Sequence, residues 1–173
     1  MKKYLKLNLI WLGIFSLISI NAYSTNQTPD ILITGQDTFY LHYTFPIEKL
    51  DFKKSTNPFK LYNNAEFIAT NCWRGYQAIW EIKDNKMFLK DVKICNRDST
   101  LNYTMVIDFF KDNGFEPKME NGKIFAEWFS SILIEFDNGH AFRGGNHLIG
   151  TEEIKRKHKV VFIIENGRLI IND

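Results

Sequence analysis

The amino-acid sequence predicts a mainly β fold, a β-rich α+β arrangement with an antiparallel sheet packed as a sandwich or curled into a partial barrel. Residues 76–94 alternate apolar and polar side chains, the period of half-buried strands. Beyond residue 114 the dipeptide Asn-Gly, which suits two-residue hairpin loops, recurs at 121–122, 138–139 and 166–167. Only residues 99–112 space their apolar side chains as a helix does. With eight or nine strands expected and no helices alternating between them, an antiparallel sheet with one helix fits best.

The first 24 residues have the three-part layout of a secretory signal peptide. Three lysines precede twelve uncharged residues, Leu9 to Ile20, and Ala22 and Ser24 supply small residues for cleavage. A retained anchor is the alternative, but a membrane-spanning helix needs about 20 apolar residues. We therefore expect a signal-peptide helix over 1–24 that is removed after Ser24 or Ala22. No cysteine lies near the cut, so a lipoprotein anchor is not expected.

The expected mature chain consists of a flexible N-terminus at 25–30 and one β-rich domain at 31–173. Loss of the leader removes three lysines and no acidic residue, which changes the formal net charge from +2 to −1. A nearly neutral protein has no global field to attract nucleic acid, so no nucleic-acid partner is expected. The predicted location is the periplasm or the extracellular space, with no membrane span after cleavage.

The first predicted strands lie at 31–34 and 38–45, on either side of a turn at 35–37. A weaker pattern follows, in which residues 47–52 could form one helical turn.

The clearest local prediction is a hairpin over residues 76–94. Its first strand places one apolar set on a single face: Tyr76, Ala78, Trp80 and Ile82. The second strand places Phe88, Val92 and Ile94 on the same side of the sheet if residues 83–85 form a three-residue loop. In this register Lys90 is the one residue whose charge does not suit its position on the apolar face.

Cys72 and Cys95, the only cysteines, flank this hairpin. In an exported protein they are candidates for a disulfide, which would contribute about 3 kcal/mol by restricting the unfolded chain. Two buried free thiols or a reactive cysteine are the alternatives. A regular ladder would point the two side chains apart, so a bridge requires an irregularity between Cys72 and Tyr76, for which Gly75 is the natural site.

Residues 99–112 are the predicted helix, with Ser99 or Asn102 as its cap and Asn113-Gly114 at its end. Beyond it, residues 124–136 read as two short strands interrupted near 130–131, and 141–149 as a Gly-rich loop with one strand at most. The last hairpin turns at Asn166-Gly167 and places Glu165 opposite Arg168.

Two motifs together resemble a family of small, uncharacterised bacterial proteins. The first is Trp-Arg-Gly-Tyr-x-Ala-x-Trp-Glu-Ile at 73–82, and the second is Phe-Ala-Glu-Trp-Phe-Ser at 125–130. The resemblance covers most of the expected mature chain. It implies a shared fold and carries no known reaction.

The candidate binding residues are Trp73, Arg74, Glu81, Glu127 and Trp128. Trp73 and Arg74 beside Gly75 could form an exposed aromatic and cationic platform, completed by Trp128 and Glu127, for a protein or glycan ligand. The structural alternative places the aromatic residues in the core and pairs Arg74 with Glu81 or Glu127.

No phosphate loop, dinucleotide fingerprint, nucleophile elbow or paired-cysteine zinc motif is present, so no cofactor, metal or catalytic residue is expected. Three hypotheses follow: a non-catalytic binding module of the bacterial envelope or secretome, an inhibitor or immunity-type protein that binds a toxin or hydrolase, and a small hydrolase using carboxylates such as Glu81, Asp91 or Glu127.

Overall fold

The computed structural model describes residues 27–50, 70–95, 97, 99–136, 141–145 and 159–170. Within the strand 141–145 and at residue 136, only the backbone is described. The predicted signal peptide at 1–24, the Asn-Gly at 138–139 and the last two residues of the weak helical turn, 51–52, lie outside these residues.

The described chain contains ten strands and one α-helix, with a short 3₁₀ turn at Pro46–Lys49. The strands are β1 (Asp30–Thr34), β2 (Asp37–His42), β3 (Tyr76–Lys83), β4 (Lys86–Ile94), β5 (Met119–Glu120), β6 (Lys123–Phe125), β7 (Ser131–Phe136), β8 (Ala141–Gly145), β9 (Val160–Glu165) and β10 (Arg168–Ile170). The helix, α1, spans Tyr103–Asp112.

All ten strands belong to one sheet in the order β10-β9-β7-β8-β2-β1-β3-β4-β6-β5. The sheet curls into a half-barrel, and β10 also pairs with β4. The predicted mainly β fold with one helix is confirmed, in its partial-barrel form. Two pairings, β1 with β3 and β2 with β8, are parallel, and the others are antiparallel.

The hairpin of β3 and β4 is confirmed, but its loop has two residues instead of three. Lys83 pairs with Lys86, and Asp84 and Asn85 between them have φ values of 51° and 58°. Positive φ at both positions is the signature of the type I′ turn, whose twist matches that of the strands.

The two faces of β4 differ from the prediction because the strand has a bulge at Lys90. Ile79 pairs with Asp91 and Trp80 with Leu89, so exposed Lys90 has no opposite residue. The prediction that Phe88 shares a face with Val92 is wrong, because the extra residue shifts the alternation. Leu89 enters the core, and Phe88 packs on the other side with its ring centroid 5.8 Å from that of Phe125.

Helix α1 confirms the predicted cap and ending. Asn102 accepts a hydrogen bond from the Thr104 backbone N–H at 2.9 Å, which makes it the N-cap. At the other end Gly114 has φ +81°, and the Phe115 N–H donates to the Phe110 carbonyl at 2.9 Å, as in a Schellman motif.

Aromatic rings join α1 to the sheet. Trp128 lies 5.6 Å from Phe110 and 5.2 Å from Phe115, and its edge contacts Trp80 at 6.3 Å between centroids. The Tyr103 hydroxyl, at the start of α1, donates to the Leu89 carbonyl at 2.8 Å and accepts from the Ile124 N–H at 2.7 Å. The helix is therefore fixed both to β4 and to β6.

The Asn-Gly hairpins at 121–122 and 166–167 are confirmed. Both Asn and both Gly residues have positive φ, and Glu165 pairs with Arg168 as predicted. The predicted break between two strands is present, but it lies at residues 126–130, earlier than expected, and Ser131 already begins β7. The Gly-rich segment contains β8.

Candidate functional site

The turn of residues 72–75, which we call the clamped turn, is tied to its surroundings at both ends. Cys72 forms a disulfide with Cys95, with 6.4 Å between their Cα atoms. Gly75 has φ +76°, and its N–H donates to the Cys72 carbonyl at 2.9 Å. The Cys95 N–H in turn donates to the Gly75 carbonyl at 3.0 Å. The predicted disulfide and the irregularity it requires are both confirmed.

Asp30 lies beneath this turn and is completely buried. Its Oδ1 accepts hydrogen bonds from Arg74 Nη1 at 2.9 Å and from the Ala78 N–H at 3.1 Å. Its Oδ2 accepts from Trp80 Nε1 at 3.2 Å. Three donors from the turn and from β3 therefore converge on one carboxylate at the first residue of β1.

Arg74 is as buried as its partner, with 1% of its side chain exposed. Nη2 donates to the Thr28 carbonyl at 2.6 Å, and the guanidinium stacks 3.7 Å from the centroid of the Phe45 ring. Nε makes no hydrogen bond to any residue that the structure describes; Glu48 Oε1 lies 3.8 Å from it. The guanidinium thus joins the turn, the segment before β1 and the segment after β2.

Burial determines the electrostatics of this cluster. Loss of solvation raises the pKa of the Asp30 carboxyl, and the adjacent Arg74 charge opposes that rise. Partial burial also raises the pKa of Glu48, again against the Arg74 charge. Removal of either partner of such a pair leaves an uncompensated charge in the interior, which costs about 3–5 kcal/mol.

Two large aromatic side chains next to this cluster are exposed. Trp73 precedes Arg74 on the clamped turn and has 51% of its surface exposed, while its backbone N–H donates to Gln27 Oε1 at 3.1 Å. Tyr43, two residues before Phe45, is 55% exposed. Its φ of 58° is unusual for a bulky residue and is the kind of backbone strain that occurs at functional sites.

The five candidate binding residues do not form one exposed platform. Arg74 is buried and pairs with Asp30 instead of Glu81 or Glu127. Trp128 is half-buried in the aromatic core, with its Nε1 donating to the Pro46 carbonyl at 2.9 Å. Of these five residues, only Trp73 presents a large apolar surface to solvent. The structural alternative for the other aromatic residues is therefore the better description.

The two candidate carboxylates are held by lysines. Glu81 on β3 forms a hydrogen-bonded ion pair with Lys123 on β6, across the intervening strand β4. Glu127 lies 3.4 Å from Lys118, and both side chains are substantially exposed. Neither carboxylate is a partner of Arg74, which lies beside Asp30 and Glu48.

Asp30 and Phe45 belong to the site but were not predicted. Asp30 follows the polar sequence Thr-Asn-Gln-Thr-Pro, so it reads as the end of a loose N-terminus. Its one sequence signal is its place directly before an apolar strand.

Within the described residues no group of three or more His, Cys, Asp or Glu side chains could hold a metal ion. The described part of the chain also has no helix that combines the length and the apolar character needed to cross a membrane.

Comparisons of the chain with protein-family models, with curated proteins and with solved structures returned no significant match. The resemblance through the motifs at 73–82 and 125–130 therefore stays a prediction.

Proposed function

We propose that this protein is an exported, non-catalytic binding module of the bacterial envelope or secretome that presents Trp73 to a protein or glycan ligand. One observation carries the proposal: a half-exposed indole stands on a turn whose backbone is fixed from three directions. The disulfide, the Gln27 hydrogen bond and the buried Arg74–Asp30 pair each restrain that turn.

A rigid exposed tryptophan is well suited to recognition. Its large apolar surface covers CH groups of a sugar or apolar side chains of a protein, and its Nε1–H provides one directional hydrogen bond. Because the turn is already ordered, binding costs little conformational entropy. Tryptophan is also among the residues that most often dominate the free energy of an interface.

The second candidate function is an inhibitor or immunity-type protein that masks a toxin or hydrolase. The same rigid turn favours it, since a protein partner would take Trp73 into a pocket. A stoichiometric complex with one toxin or hydrolase, together with loss of that partner's activity in the complex, would identify this function.

A carboxylate-dependent hydrolase has weaker support. Such an enzyme needs two carboxylates facing one substrate, about 5–9.5 Å apart. Glu81 is engaged by Lys123 and Glu127 by Lys118. Asp91, opposite Ile79, is the remaining carboxylate of that hypothesis and lies on the Glu81 side of the hairpin.

The test compares Trp73→Ala with Met105→Ala, because both side chains are 51% exposed in the wild type. Each variant of the mature chain is used to capture ligands from the bacterial envelope fraction and on arrays of bacterial glycans. We expect Trp73→Ala to weaken binding at least about 30-fold, as for an interface residue worth 2 kcal/mol, and to leave the free energy of unfolding within about 0.5 kcal/mol of the wild type.

Met105→Ala should change neither binding nor stability. The proposal fails if Trp73→Ala loses stability while binding is unchanged, or if both variants weaken binding equally.

Export is tested separately by expressing the full chain in a bacterial host and measuring the mass of the protein outside the cytoplasm. We expect an N-terminus at Thr25 or Tyr23. A charge in the apolar run, as in Leu12→Arg, should retain the uncleaved chain in the cell. Recovery of the full-length chain outside the cytoplasm would refute the assignment of residues 1–24.

A further inference from the structure

Two exposed aromatic side chains lie at the same end of the sheet. Trp73 is 51% exposed and Tyr43 is 55% exposed. Tyr43 follows the end of β2, where Leu41 pairs with Asp30, the first residue of β1. Trp73 precedes β3, which runs parallel to β1 on its other side. The segments that carry the two rings therefore flank the segment that leads into β1.

Contacts of Thr28 and Arg74 hold these three segments side by side. The Thr28 N–H donates to the Asn71 carbonyl at 2.6 Å, and the Thr28 carbonyl accepts from Arg74 Nη2 at 2.6 Å. The same guanidinium stacks 3.7 Å from the ring of Phe45, two residues after Tyr43. At the spacing of neighbouring strands, the outer two of three adjacent segments lie about 10 Å apart.

The surface between the two rings is polar and uncharged. It consists of Gln27, Thr28, Thr70 and Asn71, which we call the polar strip; the first two are half-buried and the last two are exposed. Amide and hydroxyl groups both donate and accept hydrogen bonds, so they match the hydroxyl groups of a sugar. The strip has no charge with which to pair an ionic ligand.

Tyr43 occupies a backbone position that favours a different type of residue. Its φ of 58° suits Gly or Asn, whereas a bulky side chain adopts it at a cost. The Tyr43 ring lies 6.2 Å from that of His42, but more than half of the residue remains exposed, so burial offsets little of this cost. Strain of this kind is retained where a side chain serves a function.

We infer that Tyr43 is a second anchor beside Trp73, and that the two rings and the polar strip bind an extended, uncharged, β-linked oligosaccharide. The inference rests on the function proposed for Trp73 and names its ligand class. Each aromatic face covers the CH groups of one sugar ring, and the strip pairs with the hydroxyl groups between them. Because a span of about 10 Å exceeds one sugar ring, the two side chains contact different sugars of one chain.

The alternative is that Tyr43 stabilises the turn after β2 by packing. The two interpretations differ in what they require of Tyr43→Asn. Asn tolerates positive φ, so the variant keeps the backbone and loses only the ring. If the ring packs, its loss lowers stability. If it serves as an anchor, its loss weakens binding alone.

The experiment titrates the mature protein with N-acetylglucosamine and its β-linked oligomers up to the hexamer, and with the matching glucose series, in a calorimeter. The wild type should bind the hexamer of one series at least about tenfold more tightly than the disaccharide, because only the longer chain reaches both rings. Tyr43→Asn should bind the hexamer as weakly as the disaccharide, with its urea midpoint no lower than that of the wild type. Tyr43→Phe keeps the ring and should keep most of the gain. Tyr40→Thr removes another exposed ring, 43% exposed on β2, and should change neither affinity nor chain-length dependence.

The inference is overturned if no oligomer of either series binds, if Tyr43→Asn binds every oligomer as the wild type does, or if Tyr43→Asn unfolds at a markedly lower urea concentration. Trp73→Ala separates this inference from the function on which it rests. If Trp73→Ala loses a captured envelope protein while no oligosaccharide binds the wild type, the binding function stands and the ligand class is wrong. If Trp73→Ala changes the capture of no ligand, the function proposed for Trp73 fails and the second anchor fails with it.

Discussion

Neutralising one partner of the buried Arg74–Asp30 pair should be among the most damaging substitutions in this protein. Arg74→Met leaves the Asp30 carboxylate in the interior with the Ala78 N–H and Trp80 Nε1 as its remaining donors. It also frees the Thr28 carbonyl and removes the guanidinium that stacks 3.7 Å from Phe45. We expect a loss of about 3–5 kcal/mol, which is a large fraction of the roughly 5–15 kcal/mol that stabilises a typical domain.

Asp30→Asn should cost a similar amount, because it leaves the Arg74 cation buried beside a neutral amide. The double variant tests the mechanism. With both charges gone, no fully buried ion remains, and only the partly exposed Glu48 loses its charged neighbour. The loss in the double variant should therefore be at least about 2 kcal/mol smaller than the sum of the two single losses.

The assay is urea unfolding at pH 7 followed by tryptophan fluorescence, with Lys111→Gln as the control. Lys111 forms a 3.3 Å ion pair with Glu116, but their side chains are 49% and 77% exposed. Breaking such a surface pair should cost under about 1 kcal/mol. A cost of Arg74→Met no larger than that of this control, or additive losses at Arg74 and Asp30, would show that the buried pair does not act as a unit.

Two further outcomes concern the disulfide and the buried phenol. Replacing Cys72 and Cys95 by Ser should lower the free energy of unfolding by about 3 kcal/mol, measured by urea unfolding, because the bridge closes a separation of 23 residues; an unchanged midpoint would show that the bridge does not restrict the unfolded chain. Burial raises the pKa of Tyr76, so stability present below pH 10 should be lost as the pH rises above the unfolded value. In Tyr76→Phe this loss should be shallower by about 1.4 kcal/mol per pH unit, and equal slopes would contradict the assignment.

Elements whose signals lie within a few neighbouring residues were predictable from the sequence. Asn102 caps α1 through a donor two residues away, and Gly114 ends it through its own φ. The Asn166-Gly167 turn fixes the register of its hairpin for the same reason. These features depend on local conformational preferences that each residue carries with it.

Features that depend on distant partners were not predictable. The parallel pairing of β1 with β3 joins Ile31 to Ile79, and nothing within either strand specifies the other. The bulge at Lys90 left one sequence trace, a lysine on an apolar face, but its position depends on how β3 and β4 fit together. Asp30 and Arg74 are separated by 44 residues, so the centre of the candidate site appears only when the sheet forms.

Gly122 and Gly167 are alike in their local sequence but differ in their contacts with distant residues, and this difference can be measured. Both are the second residue of an Asn-Gly turn, with φ +76° and +71°. A Cβ on Gly122 would meet nothing within 4 Å, so Gly122→Ala should cost only the left-handed strain, about 1–2 kcal/mol.

A Cβ on Gly167 would lie 2.5 Å from the Ala126 carbonyl oxygen, which accepts the Phe129 N–H at 2.9 Å and cannot move without breaking that bond. Gly167 also donates its own N–H to the Phe129 carbonyl at 2.7 Å. Gly167→Ala should therefore cost at least about 1 kcal/mol more than Gly122→Ala in urea unfolding, since overpacking adds about 1–3 kcal/mol to the backbone strain. Equal losses would mean that the segment after β6 yields to the new methyl group, and that the close approach of the last hairpin to Ala126 is not rigid.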